Sequence, residues 1–321
     1  MGLILKKKVF VLFLILIFAA LIGVIKGSVN IPFYELLQKD NQPIFYLRFF
    51  RVLMAIIAGC GLAVSGIALQ AILRNSLAEP YLLGTSSGAG LGAVVAIVIG
   101  ISGIYLPMSA FIGAILSVIL VYNLARQNNK ISEQSLILSG VIVSVGLSAV
   151  IVFLISITGN ESLHSIAWWL WGSFQVYDIK LITLVLLIVL FGVSVIYVFS
   201  QDLNAISIGE EEAAHLGIDV ENVKRILIVV TSLITASIVC ICGIIGFVGL
   251  MIPHMMRLVV GPNHRALIPV TCLAAAIFMV ICDILSRVVF PPVEIPIGVI
   301  TAILGAPIFI ILMKRKQRVG N

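Results

Sequence analysis

The sequence predicts an all-α, polytopic membrane protein, and three observations predict it. Hydrophobic residues fill 61% of 321 positions and charged residues 11%, with a mean hydropathy of +1.22. A soluble domain is near half apolar and a quarter charged. The apolar residues also fall in runs of about twenty, the length that crosses a bilayer as a helix. Finally, the runs lack the alternation of barrel strands, so their backbone hydrogen bonds must be satisfied within each segment.

Ten spans follow, at about 9–25, 52–73, 84–100, 106–124, 135–157, 179–199, 225–242, 244–260, 266–285 and 295–313. "KKK" (6–8) precedes the first; its length, with no small-x-small cleavage site after it, reads as an uncleaved helix. The third carries Gly84, Gly88 and Gly92 at four-residue intervals, and the fifth carries Gly140, Ser144 and Ser148. Small residues at that spacing let helix backbones approach closely. A nucleotide loop is excluded for the glycines, since no strand precedes them and the spacing is wrong. After the fifth span, "HSIAWWLWGSFQVYD" (164–178) places Trp168, Trp169 and Trp171 at a membrane interface. Pro253 kinks the eighth span, where His254 can reach a freed carbonyl. Near the end of the ninth, Asp283 and Arg287 form an i,i+4 pair better suited to mutual neutralisation than to a proton relay. The five cysteines lie in or beside spans without ligand spacing, and His164, His215 and His264 lie in separate loops.

Charge sets the orientation. With the N-terminus cytoplasmic, fourteen of the twenty Lys and Arg residues fall on that side, and an even number of spans returns the C-terminus there. The remaining six are Lys26, Lys39, Arg48, Arg51, Lys180 and Arg287. The net charge of +6 therefore reflects anchoring in the membrane and not nucleic-acid binding.

One stretch departs from the apolar background: "GEEEAAHLGIDVENVKR" (209–225), within a polar loop at 203–223. Ser207 and Glu210 fit a capping box, Gly217 a helix stop, and Asp219 the cap of a second short helix. Two short helices at the membrane surface are predicted, serving as a solvated connector or as a docking element. No lysine is followed by Ser or Thr, so a phosphate-binding G-x-x-x-x-G-K-[ST] loop is absent and any ATP hydrolysis belongs to another chain.

Four segments then become recognisable together: "SGIALQAILRNSLAEPYLLGTSSGAG" (65–90), "IGEEEAAHLG" (208–217), "GIIGFVGLMIPHMMRLVVGPNHR" (243–265) and "EIPIGVITAILGAPIFI" (294–310). In order and spacing they resemble the permease subunit of ABC importers for cobalamin, haem and iron–siderophore complexes. That resemblance implies one transmembrane permease domain over 1–321, paired as a homodimer around a central pathway in a prokaryotic plasma membrane. Two cytoplasmic ATPase subunits and an extracytoplasmic substrate-binding protein complete such an importer. It further implies that Glu210, Glu211, Ala213, Ala214, Leu216 and Gly217 couple to the ATPase. Arg48, Arg51 and Arg287 would meet carboxylates of the binding protein, and Asn75 and Leu77 would belong to a cytoplasmic gate. The usual pattern has Pro where this chain has Ser76, which makes that loop less rigid.

Iron–siderophore is the preferred cargo, with cobalamin and haem as alternatives; no cofactor, resident metal or catalytic residue is expected. The rival from another class is an ion-coupled secondary transporter, which would place carboxylates or histidines at mid-membrane. A membrane enzyme would need a clustered acid, base or nucleophile that the sequence lacks.

Overall fold

Long helices run back and forth through the molecule in a computed structural model that describes residues 2–29, 31–36, 38–127 and 130–319. In chain order they are α1 (Leu3–Ile25), α2 (Phe33–Leu36), α3 (Gln42–Ile72), α4 (Thr85–Val98), α5 (Tyr105–Ala125), α6 (Glu133–Ile157) and α7 (Asn160–Trp171). There follow α8 (Ile179–Val198), α9 (Ser200–Ile208), α10 (Glu210–His215), α11 (Val220–Cys242), α12 (Val248–Val260), α13 (His264–Val288) and α14 (Ile297–Val319). Each of the ten predicted spans is a helix. Seven are long and apolar enough to cross a bilayer, while Thr85–Val98, Val248–Val260 and Ile297–Leu312 are shorter apolar helices. A two-residue antiparallel pairing, Arg126–Gln127 with Lys130–Ile131, leads into α6. The side chains of Lys130, Arg315, Lys316 and Arg318, counted in the charge asymmetry, lie outside the described residues.

α3 starts about ten residues before the predicted span. Pro43 sits in its first turn, where a missing N–H costs nothing, and the helix runs on through "FYLRFF". Arg48 and Arg51 are consequently inside a helix and not at its mouth.

α3 is the central post, with 83% of its span window buried, and it packs on α13, α11, α12 and α8. Backbones meet directly: a Cβ on Gly66 would lie 1.9 Å from the Gly249 carbonyl oxygen, and one on Gly88 would lie 2.4 Å from that of Gly113. These are the close approaches that the small-residue spacing predicts. Two positions behave differently from that pattern. Gly84 caps α4 with φ of 75°, a conformation suited to glycine, and its carbonyl accepts the Ser117 hydroxyl. Ser148 is exposed, whereas Ser144 bonds Ser87. At the periphery, only 11% of the α1 window and 17% of the α6 window is buried.

α12 and α14 begin at the same face of the bundle and run together, and the Lys8 ammonium of α1 reaches the Val259 carbonyl near the end of α12. Both chain ends thus occupy one face, here called the terminal face.

Candidate functional site

On the terminal face the polar stretch folds as α9 and α10, then turns into α11. The capping box does not form. Ser207 lies inside α9, where its hydroxyl donates to the Leu203 carbonyl, and Gly209 takes the cap position of α10. Glu212 folds back over Gly209, placing a carboxylate at the end of the helix where the dipole favours it. The predicted stop is present. Gly217 has φ of 83°, and the N–H groups of Gly217 and Ile218 return to the carbonyls of Ala214 and Ala213, a Schellman motif. Asp219 caps a helix as predicted, but that helix is the 23-residue α11 and not a short one.

The six residues singled out in this loop divide by exposure. Ala213 is fully buried; Glu211, Ala214, Leu216 and Gly217 face outward; Glu210 is half-buried. Ile208 is 75% exposed and Leu216 72%, two aliphatic side chains projecting beside Glu211 and Glu212.

A chain of polar contacts runs inward from α10. Glu210 pairs with Lys224 of α11, a lysine only 1% exposed. The Lys224 ammonium also donates to the Ile131 carbonyl at 3.3 Å, while the Ile131 N–H donates to Glu221 at 3.3 Å. Two side chains of α11 therefore grip both sides of one peptide residue ahead of α6. Two residues further on, Glu133 pairs with Arg74, and its hydrogen bond and charge raise the Arg74 pKa. Arg74 holds φ of 39°, unusual for a non-glycine residue, in the loop after α3. A cavity of about 590 Å³ separates α10 from the start of α6, lined by Arg74, Glu133, Gln134 and Gly209 to Glu212 among others.

In that loop Asn75 closes a side-chain turn, its Oδ1 accepting from the Leu77 N–H at 2.9 Å, and Leu77 is 49% exposed. The buried Gln70 supports the turn by donating to the Ala78 carbonyl and accepting from Arg257. Sequence reasoning did not single out Lys224, Glu221, Glu133 or Gln70. Lys224 carried a signal, because the apolar positions Leu227, Ile228 and Thr231 repeat from it at helical spacing.

At the opposite face the three arginines converge, though not as exposed groups. Arg51 and Arg287 share Asp283: Arg51 Nε and Arg287 Nη2 each approach a carboxylate oxygen at 2.6 Å. Arg51 Nη1 also reaches Glu294 at 2.6 Å, and Gln175 donates to the same oxygen at 2.7 Å. Burial works to raise the Glu294 pKa, but the charge and hydrogen bond of Arg51 outweigh it and hold the carboxyl below its usual value. Arg48 has no carboxylate. Its guanidinium donates to the carbonyls of Ile25 at 2.6 Å and Val29 at 2.7 Å. Three cations against two carboxylates leave this cluster with one positive charge. All three guanidiniums line a cavity of about 180 Å³, together with Tyr177 and Gln175.

The predicted Asp283–Arg287 pair is thus present and extended by Arg51. The predicted aromatic belt is only partly one: Trp171 is half-exposed, but Trp168 and Trp169 line a cavity of about 280 Å³ with Ser165, Ser173 and Gln175. Among the described residues no three His, Cys, Asp or Glu converge as metal ligands, and the cysteines are free thiols.

Comparison with known proteins adds to this geometry. The FecCD transport family matches residues 12–315. The cobalamin import system permease protein BtuC of Halobacterium salinarum is 39% identical over 272 residues, covering 84% of this chain and 73% of that protein. The Fe(3+) dicitrate transport system permease protein FecD of Escherichia coli is 32% identical over 321 residues, 97% of this chain and all of that protein (100%). A solved metal-chelate type ABC transporter in an inward-facing conformation superposes with a TM-score of 0.87 at 35% identity, covering 97% of this chain and 99% of that one.

Proposed function

This chain belongs to the FecCD transport family, and from that premise we propose that it is the permease subunit of a binding-protein-dependent ABC importer carrying a metal chelate, iron–siderophore foremost. In this reading two copies form the pathway, two ATPase subunits bind the terminal face, which is cytoplasmic, and a substrate-binding protein meets the opposite face. The observation that carries the reading is the α9–α10 element. It presents exposed Ile208 and Leu216 to a partner while Glu210 and Lys224 tie it to the loops before α4 and α6. Movement of the partner would reach Leu77 and Asn75 along that connection.

Docking of the binding protein uses the cluster that Arg48, Arg51 and Arg287 form. Arg51 and Arg287 already hold carboxylates, so Arg48 carries the uncompensated charge that a partner carboxylate would meet through the cavity. An ion-coupled transporter is disfavoured by the same contacts. Asp283, buried inside α13, is bridged by two arginines and has no free valence for a relay.

A second cargo reading, cobalamin, is favoured by the greater identity to the halobacterial relative than to the dicitrate one. Vesicles holding the permease with and without an ATPase partner, loaded through the binding protein, test both levels. ATP-dependent uptake of a ferric siderophore in preference to cobalamin supports the reading. Uptake driven by a cation gradient and indifferent to nucleotide overturns it.

A further inference from the structure

A groove of about 430 Å³ runs along the terminal end of α1, where that helix meets α12 and α13. Val11 and Leu12 form one wall, Met256 and Val259 the other, and Val270 the floor. Val11 is 53% exposed and Val259 is 51% exposed, so the groove opens sideways toward the surroundings of the bundle. Its charged members are Lys7 and Lys8, both at the terminal end, with the exposed Lys6 next to them; no carboxylate lines it. The Lys8 ammonium donates to the Val259 carbonyl at 3.0 Å, which pins α1 to the last turn of α12 beside the groove.

The physical setting narrows what can occupy such a slot. Water needs two to four polar partners, and these walls offer almost none. An empty slot forfeits dispersion contacts along its whole lining. A hydrocarbon chain satisfies both conditions, and a chain entering from the bilayer carries its headgroup to the lysine end. Lysines at the membrane surface reach the headgroup level and attract anionic lipid. We propose that this groove binds one acyl chain of an anionic phospholipid, whose phosphate rests against Lys7 and Lys8. The lipid would act as mortar for α1, the helix with the smallest share of its surface covered by the protein among the long spans. The inference stands apart from the cargo and the ATPase.

The test uses the full-length protein, delipidated in mild detergent and titrated with dioleoyl phosphatidylglycerol or dioleoyl phosphatidylcholine. Retained lipid is counted by native mass spectrometry. Preferential retention of phosphatidylglycerol by at least tenfold is expected. Replacing Lys7→Gln and Lys8→Gln should cut that preference about fivefold for each lysine, without loss of helical circular dichroism. Val259→Trp, which fills the groove, should lower retention of both lipids. Equal retention of the two lipids by the native chain overturns the proposal, as does a preference that survives the double Lys→Gln change. Efficient cross-linking of two copies through a cysteine at position 259 would also overturn it, by giving the groove to a second chain.

Discussion

Replacing Asp283 with Ala removes the single carboxylate on which two buried guanidiniums depend. The side chains of Asp283, Arg287 and Arg51 are 0%, 2% and 9% exposed, and both cation–carboxylate contacts are 2.6 Å. Breaking a buried pair by deleting one partner costs about 3–5 kcal/mol, because the remaining charge is left without compensation. Arg51 retains Glu294, which tempers its share; Arg287 retains only the carbonyls of Lys26 and of residue 283 itself. The full range therefore applies chiefly through Arg287. The five free cysteines are buried or half-buried, and Cys282 adjoins Asp283. Unfolding in detergent can accordingly be followed with a thiol-reactive dye. Asp283→Ala should lower the midpoint substantially, whereas the triple change Asp283→Leu, Arg51→Met and Arg287→Met, which removes every charge of the triad, should cost less than the single change. A single variant that melts with the native chain, or a triple variant that melts well below the single, refutes the reasoning.

Other perturbations test separate parts of the structure. The lowered Glu294 pKa contributes stability that is present above the usual carboxylate value and lost as pH falls through the folded one. A Glu294→Gln variant should therefore show a flatter midpoint-versus-pH curve below about pH 4.5. Gly66→Ala forces a Cβ against the Gly249 carbonyl and should destabilise by about 1–3 kcal/mol or more. Gly146→Ala in α6, with nothing nearby, should be neutral or slightly stabilising in the same melt. Lys224→Met should leave ATPase co-purification intact while ATP-driven uptake falls at least about tenfold, since one link between α10 and the loop before α6 is gone. Arg48→Gln should weaken binding-protein affinity at low salt yet leave the Asp283 pairs in place; unchanged affinity would remove Arg48 from docking. Ala214→Trp should abolish ATPase co-purification without the internal clash that Ala213→Trp creates.

The ten long helices were legible because lipid solubility demands unbroken apolar length, and that is written residue by residue. The stops at Gly217 and the cap at Asp219 were equally local, so they could be read too. Ser207 misled because its hydroxyl found a carbonyl within its own helix, an option that local sequence leaves equally open. Arg48 and Arg51 were placed at a surface because charge normally ends a span. Burial became possible only through Asp283 and Glu294, more than 230 positions away, and no local pattern announces such partners. Lys224 stands between these cases: its burial followed from the apolar stripe of α11, but its bond to Glu210 needed the fold.

Peptide groups, not side chains, touch where Gly66 meets Gly249, and so no change of rotamer can absorb a slip between α3 and α12. Together with α13 they form a welded post. Travel is left to the outer staves. Gly140 seats α6 on the Leu82 carbonyl near one end, and Gly298 seats α14 on the Trp171 carbonyl near the other, while most of the remaining length of each is uncovered. A passage along this subunit would open by these two staves swinging from pivots at opposite rims, with the post standing still.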